Sequence, residues 1–217
     1  MRTMFERLRL WRAGLDGMAQ RNRLRRAAVR YAEHGWDVIP GACLHGVRYY
    51  CGPGCATVAC HPAFAHGEAL SYPAHSSHDP RTVAGWWRVQ AHAVLLATGS
   101  ALDVLEVPAY LGLRRAHGPT RGPVAATATG RYMVLVGRGA ALRQELAELP
   151  DVVLHGRGSW VPAPPTAAPE GRVRWTVSPE EVGWRIPAAA AVQEELVRAL
   201  PRLRADQPDR PALRRAA

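Results

Sequence analysis

The sequence predicts an α+β fold, on three observations. Along its 217 residues, segments with apolar side chains at helical spacing occur beside short apolar runs of strand length. The two kinds mix without the strict alternation that a doubly wound parallel sheet requires. An apolar content of 47% is enough for a sizeable core and too high for a disordered chain.

Residues 4–12 and 21–34 read as two helices. Met4, Leu8 and Trp11, then Leu24, Ala27, Ala28 and Tyr31, recur at helical spacing, with Gly14 and Gly17 between the segments. A strand is expected at 36–40, followed by a Cys/His/Gly-rich loop over 41–73, too polar and irregular for a core element. Asp79-Pro80 is an N-cap followed by a first-turn proline, and it opens a helix carrying Val83, Trp86 and Trp87. Adjacent residues on a helix point about 100° apart, so one of the two tryptophans is expected in the core and the other at its edge. The runs 93–97 and 102–107, split by Thr98-Gly99-Ser100, read as a strand pair. A short helix is expected at 111–117, and a second strand pair at 122–126 and 131–136. A helix at 140–149 precedes a third pair at 152–154 and 159–163, which Pro164-Pro165-Thr166 closes. A strand at 172–177 and a helix at 188–203 complete the order, ahead of a basic tail. Trp36, Trp160 and Trp175 fall in predicted strands and are expected in the core.

Every basic side chain that contributes to the net charge of +10 is Arg; the chain has no Lys. Mechanisms built on lysine are thereby excluded: a P-loop, a Schiff base, a lysine adenylate. The charge sits at the ends. Nine Arg against Glu6 and Asp16 fill residues 1–30, and six Arg against Asp206 and Asp209 fill 198–217, leaving the body close to neutral. The expected organisation is a basic helical extension over 1–20, a domain over 21–190 that contains the 41–73 loop, and a C-terminal helix with basic tail over 191–217. No stretch approaches the roughly 18 apolar residues of a membrane span, and the N-terminus lacks a signal-peptide core, so a cytoplasmic protein is expected.

Cys43, Cys51, Cys55 and Cys60 fall within 18 residues, with His45, His61 and His66 among them. In a reducing compartment they are not expected to form disulfides. Cys43, Cys51, Cys55, Cys60 and His61 could together supply a tetrahedral structural zinc site; a glycine-rich loop with free thiols is the alternative.

Several segments carry a resemblance. Residues 27–40, reading AAVRYAEHGWDVIP, are similar to the opening "A..YA..GW.v.P" of the bifunctional DNA primase/polymerase N-terminal (Prim-Pol) family of the archaeo-eukaryotic primase superfamily. The loop ending in His61-Pro62, then Asp79-Pro80 with Trp86-Trp87, Ala97-Thr98-Gly99, and Trp160 to Thr166 resemble further segments of that family in the same order. The resemblance covers roughly residues 24–190. It implies a primase-like core, a mixed or antiparallel sheet with flanking helices, and nucleotidyl transfer by two metal ions, Mg or Mn, held by carboxylates.

Laid on the family, the catalytic motifs of this chain depart from the pattern. The paired carboxylate positions fall on Glu106 and Pro108, the histidine position on Met133, and the third acidic position near Val153. Asp103 stands at an odd offset from Glu106 and so faces the other side of a strand unless a bulge intervenes. Asp151 is the remaining substitute. The expectation is therefore a primase-like domain that binds nucleic acid or nucleotides with weakened or lost nucleotidyl transfer. Its partners would be DNA, single-stranded DNA included, or nucleotides, with replication or mobile-element proteins, and no membrane. One alternative is an active metal-dependent primase-polymerase using Asp103, Glu106 and Asp151; another is a non-catalytic zinc-braced interaction module. The plainer reading of Glu106 and Asp103, a surface charge and a local cap, is preferred to a residual metal site. Arg131, His155 and Arg157 are the candidates for phosphate. Arg21, Arg23, Arg25, Arg26 and Arg30 are the candidates for a nucleic-acid backbone, against a solvated helix face in an arginine-biased chain.

Overall fold

The computed structural model describes residues 4–50, 76–116 and 118–205. Helix α1 (Met4–Glu33) is continuous over 30 residues, where the apolar spacing predicts two segments. A glycine costs a helix interior only about 1 kcal/mol relative to alanine, and no proline occurs between residues 4 and 33, so nothing interrupts the backbone ladder at Gly14 or Gly17. Leu24, Ala28 and Tyr31 are buried at four- and three-residue spacing, while Arg23, Arg25, Arg26 and Arg30 stay exposed.

Strand β1 (Val38–His45) runs five residues past its expected end and returns as β2 (Arg48–Tyr50). Residues 41–50, expected in the irregular loop, are thus mostly sheet; an irregularity between Pro40 and Cys43 absorbs the proline and glycine. Helix α2 (Pro80–Trp86) begins as its cap predicts, with Asp79 accepting from the Thr82 amide at 2.8 Å and from the Thr82 hydroxyl at 2.6 Å. Trp87 is fully buried and Trp86 packs at the core's edge.

There follow β3 (His92–Ala97), β4 (Asp103–Pro108), α3 (Ala109–Ala116), β5 (Val124–Ala126), β6 (Arg131–Val136), α4 (Gln144–Ala147), β7 (Val153–His155) and β8 (Trp160–Pro162). The short hairpin β9 (Ala167–Ala168) and β10 (Gly171–Arg172), β11 (Arg174–Val177), a 3-10 turn at Glu180–Val182 and α5 (Ala189–Ala205) complete the order. Among the described residues every strand pairing is antiparallel. One sheet has the order β2-β1-β3-β8, and a five-stranded sheet has the order β11-β5-β6-β4-β7.

Two expected hairpins are therefore crossovers. β3 and β4 lie in different sheets, as do β7 and β8. The hydrogen bonds explain it: instead of folding β4 back on β3, Thr98 donates its amide to the Ser159 carbonyl at 3.0 Å and its hydroxyl to the Gly156 carbonyl at 2.6 Å. The two connections thus cross between the sheets side by side. The expected pair at 122–126 and 131–136 does form, as β5 and β6.

Side chains alternate between cores as strand geometry requires. Val94 and Leu96 of β3, Val104 of β4, and Met133 and Leu135 of β6 join α1 and α2 in one core with Trp36 and Trp87. Leu105, Val107, Val134 and Val136 face the opposite way, onto Leu111, Leu146, Val192 and Leu196 from the helices. Trp36 is core although it precedes β1; Trp160 and Trp175 are only partly buried. The segment after β8 is pinned from two sides. Thr166 is bonded to both the amide and the carbonyl of Val94, and the Tyr31 hydroxyl donates to the Pro164 carbonyl at 2.6 Å while accepting from Trp175 Nε1. Among the described residues no helix is long and apolar enough to cross a membrane.

Candidate functional site

β4 is the central strand of the site. Its direct cross-strand neighbours place Glu106 between Met133 on β6 and Val153 on β7, and Pro108 opposite Arg131. The four positions singled out by the catalytic resemblance therefore gather on one face of the five-stranded sheet, the face that also carries Val104 and Leu135 into the first core. What they carry differs from the pattern. Met133 is buried in that core, Val153 is 43% exposed, and Pro108 has no side-chain polar group.

Glu106 is the one carboxylate of the row, and both of its oxygens are engaged. Arg131 Nε donates to Oε1 at 2.6 Å, and His155 Nε2 lies 2.8 Å from Oε2. Both partners reach it diagonally: Arg131 stands two residues from Met133, and His155 two residues from Val153, distances that long side chains span on a sheet face. Arg131 Nη2 also donates to the Asp151 carbonyl at 2.6 Å, and His155 Nδ1 lies 3.0 Å from Ser159 Oγ. The result is a chain from Ser159 through His155 and Glu106 to Arg131. It is largely shielded, with Glu106 and His155 side chains each 19% exposed.

The hydrogen bond with His155, and after it the hydrogen bond and charge of Arg131, hold the Glu106 carboxyl below its ordinary value against the opposing effect of burial. A depressed carboxyl contributes stability that is present above its unfolded value, about 4.3, and is lost as pH falls through the lower folded value. Glu106→Gln should therefore lower the denaturant midpoint at neutral pH, and the gap from wild type should close below about pH 4. Midpoints measured between pH 3 and 7 check this, and a gap that does not change with pH would contradict the ion-pair origin.

The other expected residues lie elsewhere. Asp103 is 2% exposed and faces the opposite side of β4, as its odd offset predicts. Asp151 is exposed and enters the cluster through its backbone carbonyl, not its carboxylate. The three carboxylates named as an alternative catalytic set do not converge, because strand parity sends Asp103 away and the turn before β7 leaves Asp151 at the rim. Arg157 flanks the Asp103 side. Among the described residues no group of three His, Cys, Asp or Glu side chains could hold a metal ion. A two-metal site needs converging carboxylates with free oxygens; one carboxylate already bonded to Arg131 and His155 does not fit that chemistry.

Cys43 is buried in β1, its thiol donating to Gln90 Oε1 at 3.5 Å, and burial pushes its pKa up to about 11. The remaining zinc candidates Cys51, Cys55, Cys60 and His61 lie outside the described residues.

On α1, Arg25 Nε donates to the Ala84 carbonyl at 3.2 Å and Arg30 pairs with Glu180 at 3.3 Å, while Arg21, Arg23 and Arg26 meet no carboxylate among the described residues. Arg25, Arg26 and Arg30 border a groove of about 630 Å³ that reaches Ala84 on α2. Arg30 also lies over the ring of Trp184, 5.5 Å from its centroid. Ser159 was not visible as a site residue from sequence. The one signal for it is the glycine-rich return at 156–158, which brings positions 155 and 159 back to each other.

A family model described as bifunctional DNA primase/polymerase, N-terminal, matches residues 28–192 of the chain. No curated protein matches it at a significant level.

Proposed function

Because the chain belongs to the family of bifunctional DNA primase/polymerase N-terminal domains, with residues 28–192 matched, we propose that it is a nucleic-acid and nucleotide binding domain in which metal-dependent nucleotidyl transfer is weakened or lost. The observation that carries this reading is the engagement of Glu106 by Arg131 and His155 in the row where the family's catalytic groups would stand. Two-metal transfer needs carboxylates that bind and bridge the ions; here the carboxylate serves instead to hold a guanidinium and an imidazole. The guanidinium donors of Arg131 that neither Glu106 nor the Asp151 carbonyl takes suit contact with phosphate oxygens, while His155, bonded at both ring nitrogens, positions Glu106.

Arginines on α1 supply the longer-range attraction. Arg21, Arg23 and Arg26 are uncommitted among the described residues and lie on one continuous helix. Arginine that neutralises phosphates releases counterions, so affinity should fall steeply with salt, with a slope of about 0.7 per phosphate contact for a single strand. Anisotropy titrations of a labelled oligothymidylate across a salt series test this. Replacing Arg23 and Arg26 together with Ala should weaken binding at every salt concentration and reduce the slope by about 1 to 2. Binding too weak to measure even at low salt would remove the nucleic-acid reading.

A further inference from the structure

A second cluster of unmatched charge lies on the other side of β4. Asp103 is 2% exposed. One of its oxygens, Oδ2, accepts from the Gly139 amide at 2.7 Å; the other, Oδ1, is buried with no hydrogen-bond partner. A buried acceptor without a donor is costly, by roughly 1–3 kcal/mol and more when charged, and few native positions retain one without a purpose. Asp103 lines a groove of about 510 Å³ where three connections meet: Gly99 after β3, Arg138 and Gly139 after β6, and Gly156 and Arg157 after β7. Arg138 and Arg157 are exposed and meet no carboxylate among the described residues. The groove is thus lined by a carboxylate at its floor, one oxygen of which lacks a donor, and at its rim by two arginines that meet no carboxylate among the described residues.

We infer that this groove is a second small-molecule site, and that a guanine nucleotide has the chemistry to fill it. Its volume is in the range of ligand pockets, about 300–1,000 Å³. A carboxylate favours a base edge that presents adjacent donors. Guanine offers N1–H and the exocyclic amine side by side, whereas adenine sets the lone pair of its N1 beside its amine. The terminal torsion of Asp is broad, so the Asp103 carboxylate can turn to offer Oδ1 to such a donor, with the Gly139 amide contact adjusting. At the rim, the planar forks of Arg138 and Arg157 match phosphate oxygens. Glycine at positions 139 and 156, where a Cβ would meet nothing within 4 Å, adds no side chain to the lining. The site is distinct from the Glu106 cluster, because Asp103 and Glu106 stand on opposite faces of β4, and the inference does not rest on the function proposed above.

Calorimetric titration of the full chain with GDP, in EDTA and at low salt, tests it, with ADP and inorganic phosphate as comparison ligands. GDP should bind at least about tenfold more tightly than either, a difference of about 1.4 kcal/mol. Asp103→Asn, which keeps an acceptor for the Gly139 amide but lacks the second one, should lose that preference. Arg138→Ala with Arg157→Ala should weaken both nucleotides at least tenfold, and both of these side chains are exposed, so folding should be unaffected. Equal affinity for GDP and ADP, phosphate binding as tightly as GDP, a preference that survives Asp103→Asn, or no GDP binding at millimolar concentration would each overturn the inference. If Asp103→Asn fails to fold, the double arginine variant decides, and wild-type GDP affinity in it is the overturning result.

Discussion

Gly99→Ala is expected to destabilise the chain by on the order of 4 kcal/mol, a large part of the 5–15 kcal/mol that holds a typical domain folded. A Cβ built at Gly99 would lie 2.2 Å from the Cα and 2.6 Å from the amide nitrogen of Arg157. Both are backbone atoms, so neither can swing aside. The residue also has φ +93°, a conformation that costs a side-chain-bearing residue about 1–2 kcal/mol. The contact is between the two connections that cross from sheet to sheet, so forcing them apart would strain the Thr98 bonds to Gly156 and Ser159 and with them the position of His155. Gly158→Ala is the control. Gly158 has φ +86° but nothing within 4 Å of its Cβ position, so it should show the backbone cost alone, about 1–2 kcal/mol. Thermal or denaturant unfolding of the two variants measures the difference; equal losses would mean that the crossovers do not pack as described.

Arg131→Ala should have the second largest effect, and on two readouts. The side chain makes two charge-assisted hydrogen bonds, to Glu106 and to the Asp151 carbonyl, each 2.6 Å long. Removing them leaves Glu106 with His155 alone in a site that is four-fifths shielded. Breaking one partner of a buried pair costs about 3–5 kcal/mol; with His155 retained and the site partly open, a loss of about 2–3 kcal/mol is expected. On the proposed function, triphosphate affinity should fall at least about tenfold, because the cation proposed to meet phosphate is gone. Arg131→Lys, which keeps the charge but cannot form the fork, should recover part of the affinity and little of the stability. Unchanged nucleotide affinity in Arg131→Ala would separate this cluster from nucleotide binding altogether.

How much of this was legible in the sequence depended on whether the signal was local. The Asp79-Pro80 cap and the division of labour between Trp86 and Trp87 follow from one helical turn, and the structure shows both. The parity of β4 placed Asp103 and Glu106 on opposite faces without reference to anything beyond the strand. Strand partners were not legible. Thr98-Gly99-Ser100 has the composition of a hairpin turn, but what decides the path of the chain there is a backbone 58 residues away, at Gly156. The same long-range pairing hid the site. Arg131 and His155 lie 25 residues after and 49 residues after Glu106, and only the register of β6 and β7 against β4 brings all three together. Residues 41–50 depart from the expected loop: their glycine, cysteine and histidine suggest irregular backbone, whereas pairing with β3 on one side and a tight return on the other makes them sheet. Ser159 was missed because nothing in an isolated serine after a glycine turn indicates a histidine partner.

The central claim is that Glu106 holds Arg131 and His155 rather than catalytic metal. Primer extension on a defined template, with Mg²⁺ or Mn²⁺ and deoxynucleoside triphosphates, tests it most directly when wild type is compared with Glu106→Ala. The account predicts no extension that depends on Glu106 with either ion; extension by the wild type that needs the metal and disappears in Glu106→Ala would contradict it.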